Sequence, residues 1–382
     1  MSWGTHDAES REARLETIVL LLGSLASVKV NDARLDLISP RDRQQGTFDS
    51  LRAFLVGESQ RQPVVVVLDD LQWIDTTSHE LLKHLVGSVA GHRLLLVTCA
   101  RPEYQPGWSQ HSAVVPLALK ALDERERRAL MEHALRASHL EPDLVGLASE
   151  RSEGNPFLLE ELLNALVERS AIVRDGDACR LEPGDASRII PDTVEDLIMA
   201  RIDGLDAPWK HVLQTAAVIG RDFSFDLLRA VAGGDDELRQ SLMRLADLEL
   251  IRETAIFPTW EFSFKNSLTQ EVAYRGLLAS HRRELHERVA RAMETLSEDR
   301  LEETYEVLAH HLSLSANAER AVHYLMLAGE KAVKHFAIAE ARRYYDEAAE
   351  KLQRLPEAQA SRRGRQLHHQ RERLAAAQAE PR

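Results

Sequence analysis

Apolar positions over the first 60 residues recur at helical spacing, with a polar break at residues 39–46. Pro63 then introduces Val64, Val65, Val66, Val67 and Leu68, an uninterrupted run closed by Asp69 and Asp70. A β-branched run of this kind predicts a strand buried on both faces, inside a parallel sheet. Leu81, Leu82, Leu85, Val86 and Val89 share one face of the helix that follows, and Thr77 and Glu80 have the spacing of a capping box at its start. A second apolar run, residues 94–99, predicts a second buried strand. Strand, helix and strand in about 35 residues make a βαβ unit with a right-handed crossover.

The pattern changes after Pro116. Helical spacing predicts helices at 123–138, 142–150 and 156–169, and Asp175-Gly176 between two apolar stretches marks a short hairpin. Pro191 is expected to open another helix, running to Arg201. Helices are predicted at 209–219, 224–232 and 235–248, followed by strands at 250–254 and 259–264. Three helices closed by a hairpin suggest a winged helix. From His281 onward the pattern is helical, and Gly329, Ala341, Tyr345 and Ala348 fall at the small and aromatic packing positions of a tetratricopeptide repeat. The polar tail beyond Arg362 is expected to fray.

A chain of 382 residues is too long for one core and predicts several domains. Its 44% apolar and 29% charged residues suit a soluble globular protein. The net charge of −13 argues against nucleic acid as the main partner, even with a winged helix present. Cys99 and Cys179 alone form no disulfide framework, so a reducing cytoplasm is the simplest compartment. The polar start carries no signal peptide, and the apolar stretch after Ile18 is too short and too broken to span a bilayer.

Two acids at the end of a buried strand have two readings. They end a core strand, or they form a Walker B element that delivers carboxylates to the sheet edge where ligands sit in open α/β folds. In the second reading Asp69 holds the water shell of Mg²⁺ and Asp70 polarises the attacking water. Asp75 reads equally as a helix N-cap. The sixteen histidines, including His310-His311 and His368-His369, show no zinc-ligand spacing and are read as solvated helix residues.

Leu68-Asp69-Asp70-Leu71-Gln72-Trp73-Ile74-Asp75 resembles the "LDDLHWAD" signature of the STAND-type signalling ATPases, relatives of the AAA ATPases found beside bacterial cyclase, kinase and LuxR-type modules. Thr98-Cys99-Ala100-Arg101-Pro102-Glu103 resembles the end of that family's next strand, which gives Arg101 the role of sensor 1. Gly154-Asn155-Pro156-Phe157 resembles the "GNPF" motif, implying that Gly154, Asn155 and Pro156 pack near an adenine. Ile190-Pro191-Asp192-Thr193 through Leu205 matches a lid block. Residues 262–274 resemble the end of the family's winged helix, with Asn266 where a histidine usually stands. The resemblance covers roughly residues 46–356. It implies an α/β fold, a partial P-loop sheet, followed by a mostly α chain: ATPase core at 1–118, helical lid at 119–205, winged helix at 206–282, and a tetratricopeptide-like helical region at 283–382.

A P-loop reads Gly-x-x-x-x-Gly-Lys-Ser/Thr, and its amides and lysine grip the phosphates. This sequence contains no Gly-Lys-Ser/Thr, and the lysine nearest upstream of Asp69 is Lys29, in Ser27-Val28-Lys29-Val30. The resemblance therefore implies ATP or ADP with Mg²⁺ as ligands, held weakly or not at all, and defective hydrolysis. The expected function is an ATP/ADP-responsive signalling module; the alternative is a non-enzymatic interaction module. Protein partners are expected on the tetratricopeptide-like helices, with an upstream P-loop, cyclase or kinase module as a further partner and no membrane.

Overall fold

The computed structural model describes residues 5–25, 38–168, 170–182 and 193–379. Two compact units divide the chain. The first comprises Met1–Leu117, Asp299–Ser313 and Asn317–Arg382; the second comprises Ala118–Glu298 and Leu314–Ala316. The α/β start and mostly helical remainder are as expected. Lys29 and Pro191 lie outside the described residues.

In the first unit, α1 (Thr5–Leu25) packs on α2 (Pro40–Arg61). Residues 39–46 are a helix start and not a break, because the Ser39 side chain accepts from the Asp42 amide and Pro40 occupies the first turn. Strand β1 (Val64–Leu68) pairs in parallel with β2 (Leu94–Thr98), Val64 opposite Leu94 and Leu68 opposite Thr98, with α3 (Thr76–Val86) between them in sequence. The predicted βαβ unit is therefore present.

The expected burial of both strand faces is not found. Leu68 and Leu96 point into an apolar cluster with Leu55 of α2, Leu82, Leu85 and Val86 of α3, and Trp108. The opposite face is bare: Val65, Val67, Leu95 and Val97 are 59, 63, 55 and 37% exposed. Register sets Val65 beside Leu95 and Val67 beside Val97, so the four form one patch. The physical reason is that β1 and β2 have only each other as strand neighbours among the described residues, and α2 and α3 contribute to the cluster on one side. For the same reason β1 is not the inner strand that its composition suggests. Val115 and Leu117, in the segment without helix or strand that follows, are also 87 and 84% exposed.

The remainder of this unit is helical: α13 (Tyr305–Leu314), α14 (Ala318–Lys334), α15 (Ile338–Leu352) and α16 (Glu357–Ala379). Helices α14 and α15 form a hairpin with Tyr345 buried against Gly329, and Ala341 and Ala348 buried along the same helix. The tail does not fray as expected. Leu367 and Leu374, two turns apart, are buried, Gln370 bonds Glu330 and Arg371 bonds Asp346, which holds α16 onto the hairpin. His311 is buried rather than solvated, and burial lowers the pKa of His310, with the Arg343 charge adding and Glu347 opposing.

The second unit opens with α4 (Glu124–Leu135), capped by a reciprocal Asp123–Glu126 box, then β3 (His139–Leu140), α5 (Pro142–Ser152) and α6 (Pro156–Glu168). The predicted hairpin is β4 (Ile172–Asp175) with β5 (Ala178–Leu181), turning at Gly176 with φ +59°. After α7 (Val194–Asp203) come α8 (Ala207–Ile219), β6 (Asp222–Ser224), α9 (Phe225–Ala232), α10 (Asp236–Asp247), β7 (Ile251–Ala255) and β8 (Glu261–Phe264). These follow the predicted order with one addition: β6 pairs with β8, making the hairpin a three-stranded sheet. Helices α11 (Ser267–Arg275) and α12 (Ala279–Leu296) complete the unit. Across it, Arg201 of α7 is buried with Glu161 of α6 at 2.5 Å and donates to the Leu248 carbonyl.

Candidate functional site

The two acids stand where the sequence predicts, at the C-terminal end of β1. The ladder closes behind them, because Cys99 N–H donates to the Leu68 carbonyl and Leu71 N–H to the Cys99 carbonyl. Asp70 adopts a left-handed backbone, φ 56° and ψ 40°, which a short polar residue tolerates better than most. This bend starts a single 3-10 turn, Leu71–Trp73, with Trp73 N–H on the Asp70 carbonyl. Leu71 is buried and anchors the turn, while the Asp69 side chain accepts from the Asp70 amide at 2.9 Å.

Arg101 follows β2, so parallel pairing brings Asp69, Asp70 and Arg101 to one sheet edge. The link between them is a residue that sequence reasoning did not single out. Gln72 donates through Nε2 to Asp70 Oδ1 at 2.9 Å and accepts through Oε1 from the Arg101 amide at 3.2 Å. A single amide side chain, with one donor end and one acceptor end, thus ties the two strand ends together. Its signal in the sequence was its place inside the quoted motif, where the family signature has histidine. A lone polar residue in a short turn has no periodicity to reveal it.

Asp75 is the N-cap of α3, its side chain accepting from Ser78 N–H at 2.9 Å. The Thr77–Glu80 capping box is therefore displaced: helix α3 begins at Thr76, and Thr77 already lies inside its first turn. The Thr77 amide and hydroxyl instead meet the Glu340 carboxylate of α15, at 3.2 and 3.3 Å. His79, two residues further on, packs against buried Trp108 with ring centres 4.8 Å apart.

Gly154, Asn155 and Pro156 lie in the second unit, and local structure accounts for each. Gly154 has φ +77°, and a Cβ there would come within 2.9 Å of both the Ala121 Cβ and the Leu122 carbonyl oxygen. Asn155 caps α6, its Oδ1 accepting from Phe157 N–H at 3.0 Å, and Pro156 takes the first helical position. Asn266 is likewise a cap: its Oδ1 accepts from the Thr269 amide and hydroxyl at 2.7 and 2.9 Å.

The donors at the β1–β2 edge suit a magnesium ion better than a phosphate chain. Carboxylate oxygens are ligands that Mg²⁺ takes, and the Asp69 side chain is exposed. A phosphate chain needs a run of amides and a lysine, which the sequence lacks in P-loop form. Among the described residues no cluster of three or more His, Cys, Asp or Glu forms a cage for a resident metal. No described helix is long and apolar enough to cross a membrane.

Residues 6–97 match the AAA ATPase domain family model, which places the strand–acid–helix–strand segment in an AAA-type ATPase domain. An uncharacterised protein of Rhizobium meliloti is 27% identical over 327 residues, which is 84% of this chain. The chain spans 31% of that relative's length. Among solved structures, a signal transduction ATPase with numerous domains (STAND) and a tetratricopeptide repeat sensor, from Pyrococcus horikoshii, is similar with TM-score 0.46 and 12% identity, covering 96% of this chain and 60% of that one. The Aeropyrum pernix Orc1 protein, solved in complex with DNA, gives TM-score 0.28 at 14% identity, over 63% of this chain and 69% of that one.

Proposed function

We propose that this chain, whose residues 6–97 match the AAA ATPase domain model, is the regulatory part of an ATP/ADP-responsive signalling switch, whose phosphate site forms only when a P-loop-bearing segment joins its sheet. The observation that carries this reading is the bare face of the β1–β2 pair. Parallel sheets occur with both faces covered. Here one face presents Val65, Val67, Leu95 and Val97 beside an acid-bearing edge. About half of each side chain is already covered, so burying the rest contributes about 1 kcal/mol apiece, roughly 4 kcal/mol for the face. A strand–loop–helix segment with a lysine-bearing P-loop supplies what the face lacks, an apolar cover, and brings amides and a lysine for the phosphates to the acid-bearing edge.

In the completed site Asp69 would hold the magnesium water shell, Asp70 would orient the attacking water, and Arg101 would meet the terminal phosphate. Gln72 keeps Asp70 and the Arg101 backbone in register while this happens. The bound nucleotide then shifts the balance between two arrangements of the chain by its differential affinity for them. The C-terminal helices α13 to α16 receive the protein partner. On its own the chain is defective in hydrolysis.

The test is a titration of fluorescent ADP and ATP analogues, with magnesium, into the wild-type chain and Asp69→Asn. The expected affinity is about millimolar or weaker, a binding free energy of roughly −4 kcal/mol at most, with little difference between the two proteins. Micromolar affinity lost in Asp69→Asn would mean that the chain already builds a complete phosphate site.

A further inference from the structure

Helix α3, which follows the acids, is held at its N-terminus from a distance of 263 residues. Its first backbone amides have no partner within the helix. Asp75 takes Ser78 N–H, and Glu340, in the first turn of α15, takes Thr77 N–H at 3.2 Å and the Thr77 hydroxyl at 3.3 Å. A carboxylate at this end of a helix is favoured by the helix dipole. A second contact lies just before α15: Gln44 of α2 donates to the Phe336 carbonyl at 3.4 Å, at a residue whose φ is +56°. The turn before α15 and the first turn of α15 are thus bonded to α2 and α3, the helices on either side of the acid-bearing strand in sequence, all within one compact unit.

From this geometry we infer that Glu340 is the tie through which the α14–α15 hairpin sets the conformation of the acid loop. The path is short and bonded at each step. Thr77 is the second residue of α3, and Asp75 caps that helix. Ile74 N–H closes on the Leu71 carbonyl and Trp73 N–H on the Asp70 carbonyl. Gln72 then joins the Asp70 carboxylate to the Arg101 amide. A displacement of Glu340 frees the start of α3 and loosens the 3-10 turn that holds Asp70 in its left-handed bend. Linkage makes the effect reciprocal: a ligand that stiffens the acid loop strengthens the hold of Thr77 on Glu340. This coupling concerns the chain's own contacts and stands whether or not a nucleotide occupies the edge.

The experiment is hydrogen–deuterium exchange with mass spectrometry on the full chain: wild type, Glu340→Ala, Glu340→Gln, Thr77→Val and, as a control on the same helix, Glu350→Ala. Loss of a charge-assisted bond at a helix start is expected to speed amide exchange in residues 70–80 about tenfold in Glu340→Ala. Glu340→Gln, which keeps an acceptor, gives a smaller rise, and Glu350→Ala none. Thr77→Val removes the hydroxyl half of the tie and leaves the amide half, and is expected to speed exchange at residues 338–344 by about twofold, even where Glu340→Ala folds poorly. Exchange at 70–80 equal to wild type in a folded Glu340→Ala overturns the inference. So does a change confined to residues 338–344 in that variant, or an unchanged 338–344 in Thr77→Val.

Discussion

Gly329→Ala is expected to destabilise the α14–α15 hairpin, although alanine is the better helix former. The glycine lies inside α14, facing the ring of Tyr345 on α15. A Cβ built there meets Tyr345 Cε1 at 2.2 Å, Cδ1 at 2.7 Å and Cζ at 2.8 Å, all inside van der Waals contact. The ring has little room to retreat, because Tyr345 is 2% exposed. The helices must separate or the ring must leave its rotamer, and overpacking of this kind costs about 3 kcal/mol at the upper end of its usual range. The propensity gain of alanine over glycine returns about 1 kcal/mol. A net loss of roughly 2 kcal/mol is the expected result of these opposing terms. Denaturant unfolding followed by circular dichroism measures it, with a double-mutant cycle to assign the cause. In a Tyr345→Ala background the clash is absent, so Gly329→Ala there should stabilise by up to about 1 kcal/mol. Gly329→Ala neutral or stabilising in the wild-type background would refute the close packing of these helices.

Two further outcomes follow from the packing. Arg201→Met leaves Glu161 buried without its cation and the Leu248 carbonyl without its donor, a loss of about 3–5 kcal/mol in chemical unfolding, much of it recovered in Arg201→Met/Glu161→Leu. Burial raises the Tyr345 phenol to about 12, with the Glu330 charge adding and Arg373 opposing. The folded state thus favours the neutral phenol, and its stabilising contribution is complete below the ordinary tyrosine value of about 10 and lost as pH rises from there towards 12. Phenolate absorbance during an alkaline titration should show this tyrosine ionising last or together with unfolding, and Tyr345→Phe should remove the loss across that window.

Much of the fold is legible in the sequence where a pattern has a single physical cause. The valine run read as a strand because consecutive β-branched residues favour a sheet over a helix, and parallel pairing followed from the intervening helix. Its half-exposure was not legible, since composition reports what a strand suits and not which neighbours stand beside it. The small and aromatic positions of α14 and α15 were legible as spacing, and Tyr345 does sit on Gly329. The packing of α16 was hidden, because two leucines in a polar helix make too weak a stripe to distinguish from a solvated tail. At the candidate site, the acids and Arg101 were visible as strand ends. Gln72 and Glu340 were not, for opposite reasons: one makes a local bridge in a turn without periodicity, and the other meets Thr77 across 263 residues.

The most direct test of the central claim is steady-state phosphate release from MgATP by the wild-type chain and by Asp70→Asn, prepared in parallel. Phosphoryl transfer rests on groups that position the β- and γ-phosphates, and loss of even one preorganised donor can cost about 10²–10³ in rate. The chain has the acids, Arg101 and Gln72, but no P-loop amides, lysine or hydroxyl in motif form. The two proteins should release phosphate at the same background rate. Turnover by the wild type that disappears in Asp70→Asn would contradict this, because the chain would then hold its phosphates without a P-loop-bearing segment.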